Sequence, residues 1–365
     1  MAIDPSPSST VSVARPGRLG DPALSLRDDP RADPRMVAAL AAFGLDAHPE
    51  PPPISPRSSR EELLAFCAAA EGGFEAVFAA LYEGLATVRG VTTETTSITG
   101  PDGNEITLYV HRPEGSGDTA LPCVVHLHGG GMVILEGAGV CYARIRDELA
   151  ATGLVVVGVE FRNGAGKLGS HPYPAGLDDC AAAVEWVLDH RGELGAGKVI
   201  VAGESGGGNL SLAVTLRANR EGWADRIAGV YAMCPYISNL WDARPAELAS
   251  LHENDGYFLS CELLAVMAAA YDPGAAHAED ATCWPYRATD RDLAGLPPHV
   301  ISVNELDPLR DEGLAYLRRL LANGVSAVGR TVNGTCHGGD VIFRAAMPDV
   351  YASTIRDIRG FAGSV

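Results

Sequence analysis

The chain has no run of the roughly 18 to 20 uninterrupted apolar residues that a membrane-spanning helix needs. It has no Cys-x-x-Cys pair. Its eight cysteines, at 67, 123, 141, 180, 234, 261, 283 and 336, are scattered, and such spacing in 365 residues supports neither a zinc site nor a disulfide framework. Basic residues are scarce as well: 28 Lys and Arg against 46 Asp and Glu give a net charge of −18, which argues against nucleic acid and anionic membrane surfaces as partners. The first twenty residues, MAIDPSPSSTVSVARPGRLG, lack the basic start and apolar run of a secretory leader and read as a flexible tail. These absences lead us to expect a cytoplasmic chain with no membrane or nucleic-acid partner. At 47% hydrophobic and 20% charged residues, the composition is that of a globular protein.

Organisation along the chain is uneven. Residues 1–60 are rich in Pro, Ser, Arg and Asp, with one short helical pattern around Met36 to Phe43. Two helical stretches follow, Arg60 to Ala70 and Gly73 to Thr87, so residues 1–92 read as an N-terminal arm and cap helices. From 93 to 365 the pattern is that of an α/β core. A hairpin signal at Gly100-Pro101-Asp102-Gly103 joins two β-rich runs. Apolar strand runs at 123–127, 154–160, 198–202, 227–233, 299–303 and 325–332 then alternate with helical stretches near 142–151, 177–190, 209–219 and 312–323. Nearly continuous apolar strands separated by helices predict a mostly parallel, twisted sheet with helices on both faces. Between about 235 and 295 no core strand is evident. The aromatics there (Tyr236, Trp241, Tyr257, Phe258, Tyr271, Trp284, Tyr286) suit a cap inserted over a pocket, or ordinary packing.

The chemistry is carried by four motifs in a fixed order. Gly203-Glu204-Ser205-Gly206-Gly207 is weak evidence alone in a chain with 42 glycines. Its setting strengthens it: Val199 to Ala202 reads as a strand running in, and Asn209 to Ala213 as a helix running out, which is the strand–turn–helix of a nucleophile elbow. A phosphate-cradling turn would continue into Lys and Ser or Thr, which are missing. Upstream, His126-Leu127-His128-Gly129-Gly130-Gly131 follows a strand, and three glycines leave backbone N–H groups free to hold a developing oxyanion. Gly130 and Gly131 are the expected donors, with Gly206 as the third.

Ser205 needs a base, and in α/β-hydrolases the order Ser, acid, His applies. Of the later histidines, His299 sits in an apolar strand, His252 and His277 fall in the expected cap, and His337 lies in a loop after the last strand, where the base belongs. The acid should follow the preceding strand. Asp307 is best placed to hold the imidazolium, with Asp311 and Glu305 as runners-up. Cys336, next to the histidine, is the one cysteine to watch, although no separate base for it is evident.

Taken together, these segments resemble the hormone-sensitive-lipase-like family of serine esterases. The resemblance rests on His128–Gly131, on Gly203–Gly207, on Asp307-Pro308-Leu309-Arg310-Asp311-Glu312-Gly313 and on His337. His171-Pro172-Tyr173-Pro174-Ala175-Gly176-Leu177-Asp178-Asp179 and Leu296-Pro297-Pro298 add to it. The family usually carries Asp before the nucleophile and Ala after it, where this chain has Glu204 and Gly206; one branch of the family shares both. The resemblance implies the α/β-hydrolase fold and a carboxylesterase acting on a small-molecule ester or lactone, with no metal or organic cofactor. An amidase or acyltransferase would use the same residues. A non-catalytic small-molecule receptor on the same fold typically loses part of the triad, which this chain keeps. If the chain self-associates, the N-terminal arm is the expected contact of a homodimer.

Overall fold

The computed structural model describes residues 15–117 and 120–365. The expected leaderless start and most of the expected flexible tail, residues 1–14, lie outside them.

Eight strands form one sheet: β1 (Val91–Thr99), β2 (Glu105–Pro113), β3 (Leu121–Leu127), β4 (Val155–Glu160), β5 (Ala196–Glu204), β6 (Gly229–Met233), β7 (His299–Asn304) and β8 (Ala327–Val332). Their order across the sheet is β1-β2-β4-β3-β5-β6-β7-β8. The hairpin predicted at Gly100–Gly103 joins β1 to β2, and β2 also pairs antiparallel with β4; every other neighbour is parallel. The expected architecture is therefore present.

Alternation along the strands explains why both faces are covered. Val124, Val156, Ile200, Tyr231 and Val300 point to one face, and Val125, Val157, Val201, Ala232 and Ile301 to the other. Helix α3 (Val140–Ala151) buries Ile145 and Leu149 on the first face. On the second lie α4 (Ala175–Asp189), α5 (Gly206–Glu221) and α7 (Arg310–Ala322), while α6 (Cys261–Tyr271) packs beyond them. The first face is completed by a C-terminal helix absent from the sequence reading, α8 (Pro348–Ser364). Its Tyr351, Ile355, Ile358 and Ala362 recur at helical spacing and are buried, although Gly360 and Gly363 weaken that signal.

The N-terminal segment differs from expectation in one respect. The two predicted helices are a single α2 (Arg60–Tyr82), running straight through Gly72 and Gly73. Each glycine costs about 1 kcal/mol in a helix interior. Three features outweigh that cost: a capping box between Ser59 and Glu62, burial of Leu63, Cys67, Phe78 and Tyr82, and the carboxylate of buried Glu71. Glu71 accepts the N–H of Leu135 at 2.7 Å and that of Lys167 at 2.8 Å, so α2 is bolted to two core loops. By length and composition α2 could cross a membrane, which no shorter reading of this segment suggested. Its outward residues are mostly Ala and Gly, and its large side chains face the protein. A short arm precedes α1 (Pro34–Ala41). Arg31 pairs with Asp29 and Glu253, and Met36 of α1 accepts the N–H of Cys336 on its sulfur at 3.3 Å.

Between β6 and β7 there is no strand, as expected. Trp241, Trp284, Tyr236 and Tyr271 form one buried aromatic cluster in this segment, Tyr236 stacked on Trp241 and the other pairs edge to face, with ring centroids 4.0–5.8 Å apart. Packing, rather than pocket lining, occupies most of these aromatics.

Two buried histidines give the fold a pH signature. Burial pushes His299 of β7 down to about 4 and His128 down to about 3, against an ordinary value of 6.5. The unfolded chain takes up protons at these positions before the folded chain can. Their contribution is therefore intact above pH 6.5 and is lost as pH falls toward 4, at up to about 1.4 kcal/mol per pH unit for each histidine. Thermal midpoints measured between pH 7.5 and 4.5 should fall with acidification, and His299→Gln should shrink that fall. An unchanged slope would show that His299 is not one of its sources.

Candidate active site

Ser205 stands between the end of β5 and the start of α5 with φ +57°, in the left-handed region that a non-glycine residue occupies at a cost. Neighbours impose this conformation. Its N–H donates to Met233 O at 2.9 Å, and its carbonyl accepts from Asn209 N at 3.0 Å and Tyr236 N at 3.2 Å. The surrounding glycines are obligatory. A Cβ on Gly203 would lie 2.5 Å from both Leu127 O and Gly207 O, and one on Gly207 would overlap Leu127 O outright. At Gly206 a Cβ would sit 2.5 Å from Met132 N and 2.6 Å from Gly131 N. The glycine-rich loop after β3 thus lies directly against the elbow.

That loop is held open toward the serine. Gly130 has φ +103° and Gly131 φ +63°, and Gly130 O closes a turn by accepting from Val133 N and Ile134 N. The N–H groups of Gly130, Gly131 and Gly206 donate to no acceptor among the described residues. Gly129 differs: its N–H donates to Glu204 Oε1 at 2.9 Å, while Glu204 Oε2 meets His126 Nε2 at 3.0 Å. Glu204, noticed in the sequence only as a departure from the family pattern, is thus the strut between elbow and loop. His128 is neutral, held so by burial. Its Nδ1–H donates to Gly129 O at 2.8 Å and its ring stacks on Phe161 at 4.1 Å, so it shapes the loop.

The acid and histidine loops are stitched together beyond β7 and β8. Asp307, fully buried, presents Oδ2 to His337 Nδ1 at 2.8 Å and accepts Leu309 N on Oδ1 at 2.9 Å. Since Nδ1 faces a carboxylate it carries the proton, which leaves Nε2 as the acceptor. Leu306 N donates to Thr335 O, and Asn304 bonds Thr335, Asp340 and Gly338, fixing the separation of the two loops. Ser205 and His337 line one cavity, but no hydrogen bond joins the serine Oγ to the imidazole in this structure.

The runners-up have other partners. Asp311 accepts Ser250 N at 2.8 Å and pairs with Arg310; Glu305 accepts Gly334 N at 2.8 Å and so props the histidine loop. His252 bonds Arg244 O and His277 bonds Asp272, neither near Ser205. Cys336 is fully buried, its thiol pushed up by that burial, and it does not line the cavity.

The empty space of the cavity, counted out to where it opens to solvent, is about 710 Å³. Its walls are apolar: Phe74 and Phe78 from α2, Ile134 and Leu135 after the glycine loop, Met267 from α6, and Phe258. Of the seven aromatics singled out between 235 and 295, Tyr236 and Phe258 reach it. Among the described residues no Lys or Arg lines it.

Comparisons with known proteins agree with this fold. Residues 124–340 match a family model described as the alpha/beta hydrolase fold. The chain belongs to the α/β-hydrolase family. More narrowly, it lies in the hormone-sensitive-lipase-like group of esterases. It is 33% identical over 249 residues to esterase LipI of Mycobacterium tuberculosis, covering 66% of this chain and 73% of the relative. It is 34% identical over 265 residues to carboxylesterase NlhH of the same species, covering 71% and 79%. Among solved structures, brefeldin A esterase, a bacterial homologue of human hormone-sensitive lipase, superposes with a TM-score of 0.91 at 50% identity, over 96% of this chain and 98% of that one. The esterase Est22 superposes with a TM-score of 0.83 at 38% identity, over 94% and 100%.

Glu204 offers a direct test of the strut. Glu204→Ala leaves the buried Gly129 N–H and His126 Nε2 without partners, at a cost of about 1–3 kcal/mol. The urea midpoint should drop accordingly, and kcat on p-nitrophenyl butyrate should fall by more than KM rises. A variant with normal stability and kcat would remove Glu204 from the account.

Proposed function

We propose that this carboxylic ester hydrolase works through Ser205 as nucleophile, His337 as general base and Asp307 as its orienting acid, with Gly130, Gly131 and Gly206 as the oxyanion hole. The observation that carries this reading is the Asp307–His337 hydrogen bond, in a cavity wall shared with Ser205 and with three unpaired N–H groups. Ser205 Oγ attacks the ester carbonyl as His337 Nε2 takes its proton. The negative charge on the carbonyl oxygen falls to the three N–H donors and to the positive end of α5, each donor contributing roughly 3–4 kcal/mol in the transition state. The imidazolium, held by Asp307, returns its proton to the departing alcohol. Water then cleaves the acyl-enzyme by the same route.

The apolar lining and the lack of Lys or Arg favour a neutral ester over an anionic one, because no cation is present to offset the desolvation of a charged group. A lactone fits this description, and likeness to brefeldin A esterase supports a macrolactone of the brefeldin A type as one substrate. In this reading the residues before 93 and the segment 235–295 act as the cap, α2 and α6 supplying two of its walls. The N-terminal arm is the surface for a homodimer.

The experiment is hydrolysis of p-nitrophenyl acetate and butyrate, and of a lactone panel that includes brefeldin A. Ser205→Ala and His337→Ala should each lower kcat by about 10⁴-fold or more, with circular dichroism unchanged. Turnover unaffected in both variants would sink the mechanism. Inert brefeldin A beside active simple esters would remove the macrolactone assignment alone.

A further inference from the structure

Cys234 has no part in the mechanism above, yet it stands beside the residues that do. It follows β6 directly, its N–H donating to Ser302 O at 2.7 Å, and it lines the same cavity as Ser205 and His337. Its Sγ, a carboxylate oxygen of Asp307 and a ring nitrogen of His337 all lie within 4.8 Å of one another. The convergence follows from topology: the three residues come from the chain just beyond β6, β7 and β8, which are adjacent parallel strands about 4.8 Å apart. Positions 234, 307 and 337 carry no ligand spacing that a sequence could reveal.

We propose that Cys234, Asp307 and His337 form a binding site for a thiophilic divalent cation such as Zn²⁺ or Cd²⁺, and that occupation of this site switches the esterase off. Zinc bonds its sulfur, nitrogen and oxygen ligands at about 2.0–2.3 Å, which sets neighbouring ligand atoms roughly 3.5 Å apart. Bringing the three atoms to that spacing takes side-chain rotation that breaks the Asp307–His337 hydrogen bond, and the cavity lined by Cys234 and His337 is the ion's path. A thiolate with an imidazole and one carboxylate selects soft and borderline ions over Mg²⁺ and Ca²⁺, which require mostly oxygen ligands. The inhibitory step balances as follows. The ion forms bonds to Cys234 Sγ, Asp307 Oδ2 and His337 Nδ1, and the thiol proton leaves to solvent. The imidazole proton displaced from Nδ1 is carried on Nε2 instead, so the ring remains neutral. An Nε2 that bears a proton cannot take one from Ser205. This inference rests on His337 being the base, while the site itself does not.

The test uses the chelator-treated full chain titrated with CdCl₂, followed in parallel by the ultraviolet cadmium–thiolate charge-transfer band and by p-nitrophenyl butyrate hydrolysis. The band should appear as activity is lost, EDTA should reverse both, and Mg²⁺ should do neither. In Cys234→Ala and Cys234→Ser the band should be lost. The Cd²⁺ concentration that halves each variant's own activity should rise at least ~10-fold. Ser205→Ala should keep the band, so the metal site can be read even if the proposed nucleophile is wrong. A wild-type protein without a band, or Cys234 variants that keep both band and sensitivity, would overturn the site. A Cys234-dependent band with undiminished hydrolysis would overturn the switch.

Discussion

The close approach of two chain segments governs the rest of this molecule's working face. The turn leaving β5 and the loop leaving β3 run against each other so tightly that Gly203, Gly206 and Gly207 leave no room for a Cβ. That contact holds Ser205 in its left-handed conformation and sets the N–H of Gly206 beside those of Gly130 and Gly131. In the proposed mechanism small backbone displacements matter here, because a donor must lie about 2.7–3.1 Å from the developing oxyanion. The parallel sheet is the means of enforcing it: β3 and β5 are immediate neighbours in register, Leu127 opposite Gly203, so the two loops emerge at the same level.

Buried carboxylates do the fixing where the sheet ends. Glu204 ties the elbow to the glycine loop, Glu71 ties α2 to Leu135 and Lys167, and Glu253 gathers Arg31 and Arg310. Glu312 collects Ile237 N, Ser238 Oγ and Trp241 Nε1, holding the segment that leaves β6. Each satisfies several donors that loops otherwise leave unpaired, which is why removing one partner from such a group costs far more than breaking an exposed pair. Arg226 with Asp189, on the surface, is of the second kind. Burial pushes the Glu312 carboxyl up to about 8, against the opposing pull of its donors, so this tie is sensitive to pH in a way that Glu253, held down by two arginines, is not.

What the sequence disclosed was local. Strands of β-branched residues, the turn at Gly100–Gly103, and the order of the glycine loop, Ser205, Asp307 and His337 all have signals within a few residues, and each lies where its element predicted. What it withheld was tertiary. The glycines at 72 and 73 signal a break, and only the anchoring of Glu71 shows why α2 continues through them. Trp241 and Trp284 look like pocket aromatics until their edge-to-face contact is seen. Glu204 reads as a departure from a family pattern, and its two partners, 75 and 78 residues away in the chain, give no hint in sequence. Cys234 is one of eight scattered cysteines until three strand ends bring it to His337.

The position of negative charge explains why Glu204 can stand next to the proposed nucleophile at all. In the proposed mechanism a chain of net charge −18 must accommodate a transient anion beside Ser205, and a free carboxylate one residue away would oppose it. Glu204 is not free. Its two oxygens are engaged by Gly129 N–H and His126, and a glutamate has the reach to span from β5 to the loop after β3. The carboxylate of Asp307 stands behind His337, hydrogen-bonded to its Nδ1, where in the proposed mechanism its charge stabilises the imidazolium rather than meeting the oxyanion. With no Lys or Arg lining the cavity among the described residues, the proposed mechanism meets the anion with N–H dipoles and a helix end, which are aligned before the substrate arrives and need no reorganisation. An acidic composition and a site proposed to develop negative charge are therefore compatible, because the carboxylates of Glu204 and Asp307 are already engaged, one by the glycine loop and the other by His337.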